Sequence, residues 1–182
     1  LLKEEKDGIM YAISKFFGNT MGSDIFEKRK GVMLALSEKE EKQVINELRP
    51  LDVLLEKTPF RATDGFIPGH WGHVAVWVGN EKQLKELGVW DLLDDLYEEA
   101  KSSPARKYTG PSFKESIKSG HNIVEALRPG VQINSMRHFL NIDDLGVIRS
   151  LGLSKEEKVA ALVRAFRQIG KEYDFNFNVE DD

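Results

Sequence analysis

Short apolar runs of strand length and longer amphipathic stretches alternate along this chain, and the switches in period mark its elements. "LDVLLEKTP" (51–59) is an apolar run that Pro59 ends, because proline cannot donate to a β-ladder. "HVAVWV" (73–78) is a second run, rich in β-branched residues and closed by Gly79, which predicts a strand. "NIVEAL" (122–127), the turn residues Arg128-Pro129-Gly130 and "VQINSM" (131–136) predict a hairpin, and "LGVIRS" (145–150) predicts a further strand.

Between and around these runs the spacing is helical. Ser37-Glu38-Lys39-Glu40 has the form of a capping box, in which the serine oxygen accepts an orphan amide and the glutamate returns the bond. It opens a helix to about Leu48 that places Val44, Ile45 and Leu48 on one face before Pro50. Ser154-Lys155-Glu156-Glu157 repeats the signal and opens a helix over about 155–169 that stops at Gly170. Residues 81–121 are polar and helical, clearest in "WDLLDDLYEEAK", and are interrupted by "SSPARKYTGPS"; they are expected to lie as an insertion over one edge of the core. "DGIMYAISKFFGN" and "DIFEKRKGVMLAL", within residues 1–36, are short helix-like pieces broken at Gly18 and Gly22. The pattern predicts an α+β fold, a small antiparallel sheet packed with helices. Residues 1–47 form a helical extension and residues 48–182 the main domain.

Composition narrows the function classes. The 182 residues carry 26 basic and 30 acidic side chains, a net charge of -4, with 41% hydrophobic residues. That composition suits a folded globular chain and offers no basic stripe for phosphates, so no nucleic-acid partner is expected. There are no cysteines, which excludes disulfides, thiolate zinc sites and a cysteine nucleophile within these residues. No apolar run approaches the roughly 20 residues of a transmembrane helix. Compartment and oligomeric state leave no mark in the pattern.

The candidate chemistry lies in "IPGHWGHVAVWVGN" (67–80). Alternation sends His73, Ala75 and Trp77 to one face and Val74, Val76 and Val78 to the other. The valine face is expected to be plain core. A second polar residue, Glu125, interrupts the apolar strand at 122–127, on the face of Ile123 and Leu127. If the two strands pair, Glu125 can accept the N–H of the His73 ring, fix its tautomer and stabilise the imidazolium, as the orienter and base of a nucleophilic triad. Three other readings stand beside this one. His73 can be a satisfied rim residue, and Glu125 can face solvent on a half-exposed sheet. His70, His73 and Asp64 can supply metal ligands, although H-x-x-H in a loop lacks the helical face that makes such spacing specific. His70, His121 and His138 are expected to have no carboxylate partner.

Several of these segments carry a resemblance in their order. "LRPLDVLLEKTP", "GHWGHVAVWVG", "NIVEALRPGVQI", "GVIRS", a helix and "GKEYDFNF" resemble the circularly permuted papain-like hydrolases of the NlpC superfamily, the YiiX/YebB group, over about residues 48–177. The resemblance implies a thiol hydrolase or acyltransferase acting on an amide or ester. It places the catalytic histidine at His73 and the polar third member at Glu125. The nucleophilic cysteine would follow the "YDF" segment, Tyr173-Asp174-Phe175, beyond residue 182. Asp64, Trp71 and Tyr173 are then the expected substrate contacts, and the substrate is a cell-wall peptide or a lipid-like acyl group. Neither a cofactor nor a resident metal is expected. Relatives of this kind are common in the cell envelope. A non-catalytic binding module on the same fold is the main alternative, and a histidine-liganded metal protein a further one.

Overall fold

The computed structural model describes residues 31–57, 70–106 and 108–173. The first expected N-terminal helix and the second up to Lys30, most of the loop before His70 including Asp64, and the residues after Tyr173 lie outside the described residues; the end of the second is a single 3-10 turn, Val32–Ala35. Within the described residues five antiparallel strands form one sheet: Asp52–Lys57 (β1), His73–Trp77 (β2), His121–Leu127 (β3), Gly130–Ser135 (β4) and Asp144–Ile148 (β5), in the order β4-β3-β2-β1-β5. Among the described residues six α-helices accompany them: Glu38–Glu47 (α1), Glu81–Leu87 (α2), Leu93–Ser102 (α3), Phe113–Lys118 (α4), Met136–Phe139 (α5) and Lys155–Gln168 (α6). The α+β architecture and every strand expected from the pattern are therefore present.

The helices begin where the capping chemistry says they should. Ser37 and Glu40 exchange bonds at the start of α1, and Ser154 and Glu157 do so at the start of α6. Two further boxes, Asn80 with Gln83 and Ser112 with Glu115, open α2 and α4. Gln83 also ties α2 to the sheet, accepting from the Trp77 indole at 3.3 Å and donating to the Leu48 carbonyl at 2.7 Å. Gly130 takes φ +123° in the β3–β4 turn, and a Cβ there would lie 2.4 Å from the Lys171 carbonyl oxygen, so the hairpin needs glycine at this point.

Each face of the sheet has its own cover. On one face Leu54, Ala75, Trp77 and Ile123 are buried with Leu48, Met136, Phe139, Leu140 and Ile142, and Val44 and Ile45 of α1 pack against this cluster. On the other face Val124 and Ile133 join Leu84, Leu93, Leu96, Phe113, Leu162 and Phe166, drawn from α2, α3, α4 and α6. The 81–121 segment thus supplies much of the larger core cluster, over the β3–β4 side of the sheet.

The valine face of β2 departs from expectation. Val78 is fully buried, but Val74 is 52% exposed. The register places Val74 beside Leu55, and Val76 in one row with Val53 and Ile148, so these residues share a face. Ile148 is 56% exposed. The helices cover this face over β3 and β4, and the apolar surface of β1, β2 and β5 remains accessible. Strand composition alone cannot distinguish the covered half of a face from the uncovered half.

Candidate active site

β2 and β3 pair with Ala75 opposite Glu125. His73 is therefore the diagonal neighbour of Glu125 on the same face, a separation that long side chains bridge. His73 Nε2 lies 2.8 Å from Glu125 Oε2, with the two side chains 22% and 3% exposed. Glu125 is buried, which overturns the reading that it faces solvent. Its other oxygen, Oε1, accepts from the Asn134 amide of β4 at 2.9 Å. The Phe139 ring of α5 packs beside the imidazole, with centroids 6.5 Å apart.

Electrostatics assign the proton. Burial alone would push the Glu125 carboxyl up, but the bonds from His73 and Asn134 and the nearby His73 and His138 charges hold it below the usual carboxylate range. An ionised carboxylate only accepts, so whenever the His73 ring is neutral it carries its proton on Nε2 and donates it. Nδ1 then presents its lone pair, and it makes no hydrogen bond among the described residues. A ring held in this way can take a proton at Nδ1 and keep the resulting cation beside a carboxylate.

Trp71 and Tyr173 come together beside His73, on the sheet face of Leu55 and Val74, opposite the one that carries Glu125. With Leu55, Gly72, His73, Val74 and Ala126 they line a cavity of about 380 Å³. The Trp71 indole seats over β5 because Gly146, opposite Leu55, has no side chain; a Cβ there would lie 2.9 Å from the ring. Two of the three expected substrate contacts thus border the His73 cavity. The third, Asp64, lies outside the described residues.

Two of the remaining histidines differ from expectation. His70 Nε2 lies 3.4 Å from Asp144 of β5, with both side chains more than half exposed. His138 Nε2 stands 3.9 Å from Glu125 Oε1. Each therefore has a carboxylate neighbour, which pattern reading could not see because both contacts span separate elements. His121 Nδ1 pairs with the Ser119 hydroxyl at 3.0 Å. His70 and His73 turn to different carboxylates, and among the described residues no cluster of three or more such side chains could hold a metal ion. No helix among the described residues is long and apolar enough to cross a membrane.

Pattern reading also passed over three polar residues of the sheet. Asn134 follows Ile133 in an alternating strand and reads as its solvent side. Glu56 is buried and stands opposite His73 in the β1–β2 ladder. Asp52, 1% exposed, takes a bidentate bond from Arg149, Nε to Oδ1 at 2.7 Å and Nη2 to Oδ2 at 2.6 Å. The signal available for Asp52 and Glu56 was their spacing, since both share the Leu54 face of an otherwise apolar strand.

An antiparallel sheet flanked by helices is consistent with a papain-like fold. Residues 47–182 match the permuted papain-like amidase enzymes of the YaeF/YiiX type, and the chain belongs to that family. No curated protein and no solved structure matches it.

Proposed function

We propose that this chain carries the base and orienter of a thiol amidase or acyltransferase, with His73 as the general base and Glu125 as the residue that orients it. The observation that carries the reading is the 2.8 Å bond from His73 Nε2 to the buried Glu125 carboxylate, which leaves Nδ1 as the basic nitrogen. None of the 182 residues is a cysteine, so the thiol comes from outside them. The accessible apolar row of Val76, Val53 and Ile148, beside the cavity and outside its lining, is a suitable seat for the segment that bears it. Covering Ile148, 56% exposed, contributes about 1 kcal/mol.

In this mechanism His73 Nδ1 accepts the thiol proton as sulfur attacks the carbonyl carbon of an amide or ester. The C–N or C–O bond breaks, His73 returns the proton to the leaving group, and a thioester remains. Water, deprotonated by the same nitrogen, cleaves the thioester and releases the acid; an amine or alcohol in place of water gives acyl transfer. Glu125 stabilises the imidazolium at both stages. Trp71 and Tyr173 flank the reacting acyl group, and Asp64 reads a charged substrate end. The apolar lining of Leu55, Trp71, Val74 and Ala126 favours a lipid-like acyl chain over a cell-wall peptide.

The test is intact mass spectrometry of the encoded gene product after incubation with an activated acyl ester. The reading predicts an acyl adduct on a cysteine outside these residues, formed slowly or not at all by His73→Ala. A gene product with no cysteine would leave the non-catalytic binding module, a papain-like fold that keeps its groove without its thiol.

A further inference from the structure

We infer that Asn134 is a positioning residue for the His73–Glu125 pair: its amide anchors one carboxylate oxygen so that the other faces the imidazole. The inference rests on the base role proposed for His73, but its geometry and its test stand without turnover.

Glu125 lies on the strand between β2 and β4. Its two oxygens are held from opposite sides, Oε2 by His73 of β2 at 2.8 Å and Oε1 by Asn134 of β4 at 2.9 Å. Asn134 pairs with Ile123 in the ladder, so it shares the face on which Ile123 and Glu125 both lie. The terminal torsion of a glutamate is broad and roughly two-fold. One bond from a histidine would leave the carboxylate plane free to swing, whereas two bonds from separate strands fix it. Because an ionised carboxylate only accepts, the Asn134 side chain must present its nitrogen to it. His138 approaches the same oxygen from α5, but at 3.9 Å and 56% exposed it supplies a screened charge and no directional bond. Asn134 is therefore the only one of the two that sets an angle.

The experiment is nitrogen NMR of the His73 ring in this chain near neutral pH, which reads the ratio of the Nε2–H to the Nδ1–H tautomer. Asn134→Ala is expected to lower that ratio about fivefold, the factor one net hydrogen bond sustains, with the backbone amide spectrum retained. His138→Ala is expected to leave it unchanged. A wild-type tautomer ratio in folded Asn134→Ala, with only its melting temperature lowered, would assign Asn134 a structural role and overturn the inference. Should the alanine variant fail to fold, Asn134→Asp serves in its place. A second carboxylate against Oε1 is expected to raise the acid midpoint of the Glu125 carboxyl carbon, and an unmoved midpoint overturns the inference. Loss of the tautomer effect with His73-dependent acylation intact removes only the role of Asn134. Loss of acylation with the tautomer effect intact removes only the amidase reading.

Discussion

Replacing Glu125 with glutamine keeps the side-chain volume and removes the charge, so it isolates what the carboxylate contributes. In the native site the carboxylate accepts from His73 and from Asn134. The glutamine oxygen can keep the His73 bond if the Asn134 amide rotates to offer its own oxygen to the new NH2 group. No donor is then stranded, and the cost reduces to lost charge assistance. Hydrogen bonds to charged groups contribute about 1.5–3 kcal/mol and neutral ones about 1 kcal/mol, so losing the charge at both bonds should make Glu125→Gln cost about 1–4 kcal/mol at neutral pH. Relief of a buried charge works in the other direction. The depressed Glu125 carboxyl says that the bonds and nearby charges outweigh burial, so the net sign is destabilising. The pH dependence follows from that direction. A group whose folded pKa lies below its unfolded value adds stability above the unfolded value and loses it as pH falls through the folded one. The gap between wild type and Glu125→Gln should therefore be fully present near neutrality and close below the ordinary carboxylate value of 4.5. Urea unfolding of both proteins across the acid range measures it. A glutamine variant as stable as wild type at neutral pH, or a gap that does not shrink in acid, would refute the reasoning.

Other sites give independent checks. Asp52→Asn removes the charge of the buried partner in the half-buried bidentate pair with Arg149 and should lose about 1.5–3 kcal/mol in urea unfolding. Phe166, fully buried and packed on Phe113 with ring centroids 5.3 Å apart, should cost about 3–5 kcal/mol as alanine, read as a drop in melting temperature. Trp71→Ala should raise KM for an acyl substrate several-fold with kcat little changed, because the indole lines the cavity beside His73 and takes no part in proton transfer.

The strands and capped helices were legible because their signals are local. A run of valines, a serine three residues before a glutamate and a Pro-Gly turn each act through the nearest few residues. The His73–Glu125 pair was legible for a related reason, since each is a polar interruption at a face position of an apolar strand. What stayed hidden depends on register and cover. Asn134 joins the site only because β4 pairs with β3 in a register that puts it beside Ile123. Asp52 and Arg149 are 97 residues apart in sequence, and nothing local links them. The exposure of Val74 reflects where the helices of the other layer stop, and the strand's own composition does not encode that.

The account turns on whether the Nδ1 of His73 serves as the base for a thiol. The most direct measurement is the rate at which an acyl probe labels the cysteine of the encoded gene product, compared between wild type and His73→Ala at neutral pH. The account predicts a loss of about 100-fold or more, the usual contribution of a positioned general base, with the variant still folded. Equal labelling rates in the two proteins would contradict it.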